Sequence, residues 1–291
     1  MDNRAEISDF LTSRRARLRP EQVGLPAGSN RRVPGLRRSE VATLAGLSVE
    51  YYSRIERGDL AGASDSVLSA LARALELDDA EVEHLFDLAR AASPSPRRRR
   101  PARSRPGTVR DGLQTMLDAI TGAAAFIRNP AQDMVAANHL ARALYSEMYR
   151  GRERPVNHSR FIFLDPGAHE LYTDWVRAAD TNVAILRTES ARFPHDPDLA
   201  QLIGELSMNS DEFRTRWAAH NVRRHISGTK TFHHRAIGDI ELGYEAMELP
   251  DDPGLTLTIY TAVPGSVAEE SLHLLGTWAA TEGAGRFTSD R

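Results

Sequence analysis

The sequence predicts a protein of two domains, an all-α N-terminal domain followed by an α/β C-terminal domain. Its 291 residues suit two domains of about 150 residues each. Residues 1–91 show only short amphipathic helical patterns, whereas residues 108–280 combine helical patterns with segments of strand-like alternation. Between them, residues 92–107 contain four prolines and six arginines, which favour a solvated linker. Residues 281–291 are expected to form a loose tail.

Composition limits the classes of protein to which this chain can belong. Hydrophobic residues make up 41% and charged residues 26%, and no apolar run approaches the ~18 residues of a membrane span. The first residues are polar and acidic, without the apolar segment of a secretory signal. The chain has no cysteine, which excludes disulfides and thiolate metal sites. We therefore expect a cytoplasmic protein.

Charge is distributed unevenly along the chain. Residues 1–105 carry 19 arginines against 15 acidic residues, a net charge of +4. Residues 106–291 carry 18 basic and 25 acidic residues, a net charge of -7. A basic front half is typical of proteins with a polyanionic partner, although ordinary scatter would also produce it. The linker is likewise open to two interpretations, a soluble spacer or an additional phosphate-binding arm.

Two short helices joined by a glycine-containing turn predict a helix-turn-helix in residues 36–58, LRRSEVATLAGLSVEYYSRIERG. Gly46 stands where the first helix needs a left-handed residue, and Ser48 can cap the second helix. One set of side chains must be buried together to hold the two helices at an angle: Val41, Leu44, Ala45, Leu47, Tyr52 and Ile55. The second helix of such a motif can enter the major groove of double-stranded DNA.

The residues expected to contact DNA lie at the start of the first helix and on the outer face of the second: Arg37, Arg38, Ser48, Val49, Glu50, Tyr51, Ser53 and Arg54. The two arginines of the first helix would contact phosphates, which fix the register, while the second helix reads bases. Tyr51 is open to two interpretations, packing or a hydrogen bond to a phosphate. Because a carboxylate faces DNA poorly, Glu56 is expected to pair internally with Arg14 or Arg17.

The same stretch resembles the helix-turn-helix of the Xre/Cro-like bacterial regulators, and the resemblance covers roughly residues 5–91. The segment VGLPAGSNRRVPG is similar to a longer insert in one branch of that family. In two places the chain departs from the family pattern. Arg37 and Arg38 replace a Thr cap and a Gln, which favours nonspecific attraction to phosphate, and Val49 replaces a polar base reader but can touch a thymine methyl. The resemblance implies a DNA-binding transcription regulator.

The C-terminal segment resembles the ligand-binding domain of MmyB-like transcription regulators over about residues 108–280. The resemblance is carried by FLDPGAHELYTDWVRAADTNVAILR, by HDPDLAQLIGELSMNSDEFRTRWAAHNVRRHISGTKTFHH and by GDIELGYEAMELPDDPGLTLTIYTAVPGS. It implies a PAS-like α/β fold with added helices and a hydrophobic small-molecule ligand, such as a fatty acid or a polyketide-like metabolite. Relatives usually have a Trp before Asn138, where this chain has Ala137. If that Trp lines the cavity, the pocket of this chain is larger or differently shaped.

A ligand cavity in this fold would be lined by side chains from several segments: Phe126, Met134, Leu144, Phe163, Trp175, Trp217 and Tyr260. The alternative is that these residues form a solid core. A ligand carboxylate would need cations at the pocket mouth, which Arg223, Arg224, His225 and Lys230 offer unless they form a solvated cluster at a strand edge. Lys230 is the only lysine among the 37 lysines and arginines of the chain.

Catalytic and metal-binding motifs are absent from the sequence. It contains no H-E-x-x-H motif, Walker loop, dinucleotide fingerprint or G-x-S-x-G elbow. We therefore expect no enzymatic activity, no cofactor and no metal. Because one short helix reads few base pairs, a homodimer is expected. The leading hypothesis is a DNA-binding regulator with a ligand-sensing C-terminal domain, and the alternative is a constitutive dimeric DNA-binding protein whose second domain binds no ligand.

Overall fold

The computed structural model describes residues 3–26, 33, 35–93, 109–151, 155–219 and 227–288. These residues form two compact units. The first unit consists of the described residues of 1–99, 183–201 and 214–224, and the second unit contains the others. From residue 94 onwards, the expected linker lies outside the described residues.

Helices make up the first unit, and a sheet with surrounding helices makes up the second. The helices are α1 (Asn3–Arg17), α2 (Arg38–Ala45), α3 (Val49–Glu56), α4 (Asp65–Ala74), α5 (Asp79–Ala92), α6 (Asp111–Ala119), α7 (His139–Leu144), α8 (His158–Leu164), α9 (Gly167–Leu171), α10 (Trp175–Arg192), α11 (Pro197–Asn209), α12 (Asp211–Ala218) and α13 (Val267–Thr288). The strands are β1 (Ala124–Arg128), β2 (Met134–Ala137), β3 (Ser227–His234), β4 (Gly238–Glu248) and β5 (Thr256–Thr261). This architecture confirms the predicted fold class, a helical N-terminal region followed by a PAS-like α/β domain with added helices.

Helices α1 to α5 enclose one apolar core. Phe10 of α1 and Tyr52 of α3 are fully buried in it, as the helical spacing of the apolar residues predicts. Leu44 was expected to join this core, but its side chain is 36% exposed. The buried face of α2 is instead formed by three residues, Val41, Ala42 and Ala45. Leu44 therefore points away from the core and leaves an apolar side chain on the surface of the first unit.

The end of α3 lies close to the start of α1. Gly58 follows α3 with a φ of +94°, and a Cβ at this position would lie 2.3 Å from the carbonyl oxygen of Arg4. Glycine alone tolerates both the backbone conformation and the close approach. The glycine that ends the helix-turn-helix motif thus allows α1 and α3 to pack closely.

The C-terminal half of α10 belongs to the first unit. Arg187 is fully buried there, where it forms an ion pair with Glu6 of α1 and donates a hydrogen bond to the carbonyl oxygen of Trp217. Its Cζ atom lies 4.2 Å from the centroid of the Trp217 ring. Ala191, one helical turn further along, packs in the same core as α1 to α5. This single helix therefore contributes residues to both units.

The second unit is organised around an antiparallel sheet with the strand order β2-β1-β5-β4-β3. Side chains alternate between its two faces, as the strand period requires. In β1, Ala124 and Phe126 belong to the larger core, which includes residues of α7 and α13, whereas Ala125 and Ile127 pack on the opposite face with Leu117 of α6. The sheet is thus covered by helices on both faces.

Asn138 connects β2 to α7 and is fully buried. Its Oδ1 accepts hydrogen bonds from the backbone N–H groups of Ala125 and Ala141, at 3.1 and 2.9 Å. Its Nδ2 donates to the carbonyl oxygens of Ile120 and Ala123, at 2.7 and 2.8 Å. One side chain therefore caps α7 and fixes the path of the chain into β1.

Two features of the second unit differ from the sequence-based expectation. Helix α13 extends to Thr288, whereas residues 281–291 were expected to be a loose tail. Ala137, at the position where the resemblance leads one to expect a Trp, is only 1% exposed and packs within the larger core. The smaller side chain at this position is therefore enclosed by neighbouring core residues.

Candidate DNA-binding and ligand-binding sites

The turn between α2 and α3 has the geometry that its sequence predicts. Gly46 adopts the left-handed conformation, with a φ of +67°, and its N–H donates to the carbonyl oxygen of Thr43. Ser48 caps α3, because its Oγ accepts a hydrogen bond of 3.1 Å from the backbone N–H of Tyr51. The cap satisfies one of the unpaired N–H groups at the start of α3 and fixes the direction in which the helix leaves the turn.

A buried carboxylate joins α1, α2 and α3. Glu56 is 1% exposed, and its Oε1 accepts hydrogen bonds from the Nε of Arg15 at 2.5 Å and from the hydroxyl of Tyr52 at 3.3 Å. Its Oε2 is paired with the Nε of Arg38. This hydrogen bond is the main reason why the pKa of the Arg38 guanidinium is raised. The two arginines hold the three helices together through one carboxylate.

The prediction that Glu56 pairs internally is confirmed, but the predicted partners are wrong. Arg14 instead forms an ion pair with Glu81 of α5, at 2.7 Å. Arg14 and Arg15 are adjacent on α1 and therefore point about 100° apart around the helix axis. Only Arg15 faces α3, and α2 supplies the second partner.

The outer face of α3 carries the residues that were expected to read DNA bases. Val49 is 40% exposed, and Glu50 and Arg54 are also exposed, while Tyr51 and Ser53 are half-buried. Arg54 lies with its Cζ 5.1 Å from the centroid of the Tyr51 ring and forms an ion pair of 3.5 Å with Asp59. The helix thus presents an apolar, an acidic and a basic side chain on one surface.

The two arginines at the start of α2 are both exposed. The backbone N–H of Arg37 donates to Oε2 of Glu40 at 2.6 Å, so the N-terminus of α2 is satisfied by a carboxylate from its own first turn. The side chain of Arg38 is 53% exposed although it is paired with Glu56. A phosphate at this position would therefore share Arg38 with a buried carboxylate.

Most of the side chains expected to line a cavity are packed in the larger core of the second unit. Four of them are buried there: Phe126, Met134, Leu144 and Tyr260. Phe163 and Trp175 are half-buried and pack against that core with their ring centroids 6.3 Å apart. Trp217 lies in the first unit, beside Arg187. Arg223, Arg224 and His225 lie outside the described residues.

A pocket of about 170 Å³ opens in the second unit between the start of α10 and strands β3 and β4. Its lining consists mainly of hydroxyl-bearing and charged side chains: Tyr172, Thr173, Asp174, Arg177, Ala178, Thr181, Thr229, Lys230, Thr231, Glu241 and Tyr244. Asp174 is engaged with α10, since its Oδ1 accepts a 3.0 Å hydrogen bond from the N–H of Arg177. The pocket is therefore polar at its rim, with aromatic rings inside.

Lys230 is the notable residue of this pocket. Its Nζ lies 4.2 Å from the centroid of the Tyr172 ring and 5.5 Å from that of Phe232. Burial, followed by the positive charges of Arg128 and Arg177, lowers the pKa of the Lys230 ammonium to about 7. The sequence indicated Lys230 as a possible cation for a ligand carboxylate. The sequence pattern could not reveal that the pocket lowers the pKa of its ammonium group.

Two family models match consecutive stretches of the chain. Residues 6–85 match the model of a helix-turn-helix domain, and residues 109–275 match the model described as the MmyB-like transcription regulator ligand binding domain. A search of curated proteins found no match. Together, the two matched domains define a helix-turn-helix transcription regulator with a ligand-binding domain. The chain belongs to the MmyB-like transcription regulators, whose ligand-binding domain accounts for more than half of its length.

In the described part of the chain, no helix combines the length and the apolar character needed to cross a membrane.

Proposed function

We propose that this protein is a cytoplasmic, sequence-specific transcription regulator that binds double-stranded DNA as a homodimer and responds to a small molecule. The proposal that the protein binds DNA rests on the exposed outer face of α3. The Ser48 cap and the buried Glu56 hold this helix in place. A helix fixed in this way can enter the major groove without first becoming ordered. A dimer is proposed because α3 is short and two copies would read two half-sites.

Mutations of base-contacting residues and of phosphate-contacting residues are expected to have different effects on DNA binding. Glu50→Ala or Ser53→Ala should change the preferred sequence, with discrimination altered by about 1–3 kcal/mol at one base pair. Arg37→Ala should weaken binding to all sequences alike and make the slope of log K against log salt shallower by about 0.9. The measurement is binding to a randomised site library at several salt concentrations.

The matched control is Arg73→Ala, which removes an exposed arginine of α4 outside the proposed interface. It should leave both the sequence preference and the salt slope close to those of the unmodified protein. Equal losses of affinity across the library for all three interface variants would contradict the proposed division between base and phosphate contacts.

The ligand is proposed to bind in the pocket beside Lys230. A fatty acid was expected from the sequence, but a pocket of about 170 Å³ is below the ~300–1,000 Å³ of sites for drug-sized ligands. A long acyl chain would require the aromatic core around Tyr145 and Tyr260 to open. We therefore favour a compact ligand whose polar group faces Lys230 and whose apolar part lies against Tyr172 and Tyr244.

Native mass spectrometry of the purified protein, compared with its denatured mass, tests whether a ligand is bound and whether the protein is dimeric. A bound ligand appears as extra mass that is lost on denaturation, and that compound should then change the affinity for DNA. A ligand with equal affinity for the free and the DNA-bound forms would shift nothing. If neither fatty acids nor compact ligands bind or alter DNA affinity, the constitutive DNA-binding protein is the better description.

A further inference from the structure

The pocket contains the single lysine of a chain that otherwise uses arginine for its side-chain cations. Arginine stays protonated at every physiological pH, whereas a lysine can release its proton and become a nucleophile. A cation needed only for charge could be an arginine here, as it is at the other 36 positions. The pocket is therefore the one place in the sequence where amine chemistry is available on a side chain.

Burial, the absence of an ionic partner and the neighbouring arginines favour the neutral amine of Lys230. Within the described part of the chain, its Nζ forms no hydrogen bond or ion pair; the faces of Tyr172 and Phe232 lie beside it and by themselves favour the ammonium. The nearby charges that act on it, Arg128 and Arg177, are both positive. The acidic residues of the pocket lining are Asp174, which is engaged with the start of α10, and Glu241, which is exposed. Desolvation and the two arginine charges lower the pKa of the Lys230 ammonium to about 7, so the neutral amine is accessible near physiological pH.

We propose that the amino group of Lys230 forms a reversible imine with a small aldehyde or ketone in this pocket. The nitrogen lone pair attacks the carbonyl carbon, the C–N bond forms, and the carbonyl oxygen takes up a proton from the nitrogen to give a carbinolamine. Loss of water then gives the C=N bond, and hydrolysis reverses both steps. Lysines activated by desolvation and by neighbouring cations react in this way with carbonyl compounds. The inference rests on the proposed ligand-sensing function and names the chemical class of the ligand.

Reductive trapping of the full-length protein tests this inference. The protein is incubated near pH 7 with butanal and sodium cyanoborohydride, which reduces an imine to a stable secondary amine, and the alkylated residue is located by peptide mass spectrometry. We expect Lys230 to be alkylated about 100-fold faster in the folded chain than in urea. The neutral fraction rises by about 10³ when the pKa falls from about 10.4 to about 7, and the lower basicity of the amine offsets part of that gain.

Added Nα-acetyl-lysine methylamide serves as the standard, because its primary amine reports the activity of the reagents in both states. In the folded protein, the alkylation rate of Lys230 should rise with pH and level off above about pH 7, and Arg177→Met should move that midpoint upward. If Lys230 is alkylated no faster in the folded chain than in urea, the inference is wrong.

Variants at position 230 separate chemistry from folding. Lys230→Arg keeps the cation but should form no adduct. Lys230→Met should fold with at least the stability of the unmodified protein at neutral pH. The folded pKa of Lys230 lies below the unfolded value, so its protonation opposes folding below about pH 7, and this penalty fades as the pH rises towards about 10.

If trapping fails while DNA binding persists, only the imine is excluded; if trapping succeeds without DNA binding, the proposed function fails instead.

Discussion

Asn138→Ala is expected to destabilise the second unit strongly. The substitution leaves four backbone groups without their partner, the N–H groups of Ala125 and Ala141 and the carbonyl groups of Ile120 and Ala123. Each buried group left unpaired costs about 1–3 kcal/mol, so we expect a loss of at least about 4 kcal/mol. That is a large part of the about 5–15 kcal/mol by which a domain is stable. Urea denaturation followed by circular dichroism measures the loss.

Asn209→Ala provides a matched control for this prediction. Asn209 is exposed at the end of α11, and its Nδ2 makes a hydrogen bond of 2.8 Å to the carbonyl oxygen of Glu205. Its removal should change the free energy of unfolding by less than about 1 kcal/mol, because water replaces the lost partner. A similarly small effect of Asn138→Ala would show that the chain around β1 is held by other contacts.

Glu56→Ala is expected to destabilise the first unit by about 3–5 kcal/mol, the usual cost of removing one partner from a buried ion pair. The variant leaves Arg15, whose side chain is only 12% exposed, without its carboxylate. The start of α2 is then no longer tied to α3, so DNA affinity should fall together with the melting temperature. Thermal denaturation and a DNA-binding titration on the same sample measure the two effects.

Two variants show whether the destabilisation by Glu56→Ala comes from the loss of the buried charge. Glu56→Gln keeps the size of the side chain and one accepting oxygen, but it replaces the other oxygen with an NH₂ donor that cannot pair with an arginine; it should be less damaging than Glu56→Ala. Glu50→Ala removes a carboxylate from the exposed face of the same helix and should leave the melting temperature nearly unchanged. If Glu56→Ala melted within a few degrees of the unmodified protein, the two arginines would have found other partners.

The fold was largely predictable from the sequence, because short-range patterns determine most of it. Gly46 and Ser48 carry the turn chemistry of the helix-turn-helix, and the structure places both in the expected conformation. The strand around Tyr260 follows the alternation of its residues, whereas the strand around Phe126 is a short apolar run that is buried throughout. The end of α13 was less predictable, because its last turns contain glycines that weaken the helical pattern without ending the helix.

The site residues were predictable only where local spacing fixes them. The exposed face of α3 follows from the helical period, so Val49, Glu50 and Arg54 are found on the surface as expected. The partners of Glu56 depend on how three helices pack, which spacing along the chain does not contain. The pocket combines α10 with β3 and β4, and only tertiary structure brings these segments together. The apolar residues of the C-terminal segment indicated which side chains are buried, but they could not show whether those side chains fill a solid core or line a cavity.

Strand β3 also affects how the protein avoids aggregation. As the longer edge strand of the sheet, with eight residues, it displays backbone groups that could pair with a strand of another molecule. Part of that edge is occupied, because Phe232 forms a bridge with Tyr172, and the hydroxyl of Thr173 donates to the carbonyl oxygen of Thr231. Lys230 adds a polar side chain next to this covered part. A substitution that displaced residues 172–173 would therefore expose a continuous template for strand addition, and fibrillar self-association would compete with folding.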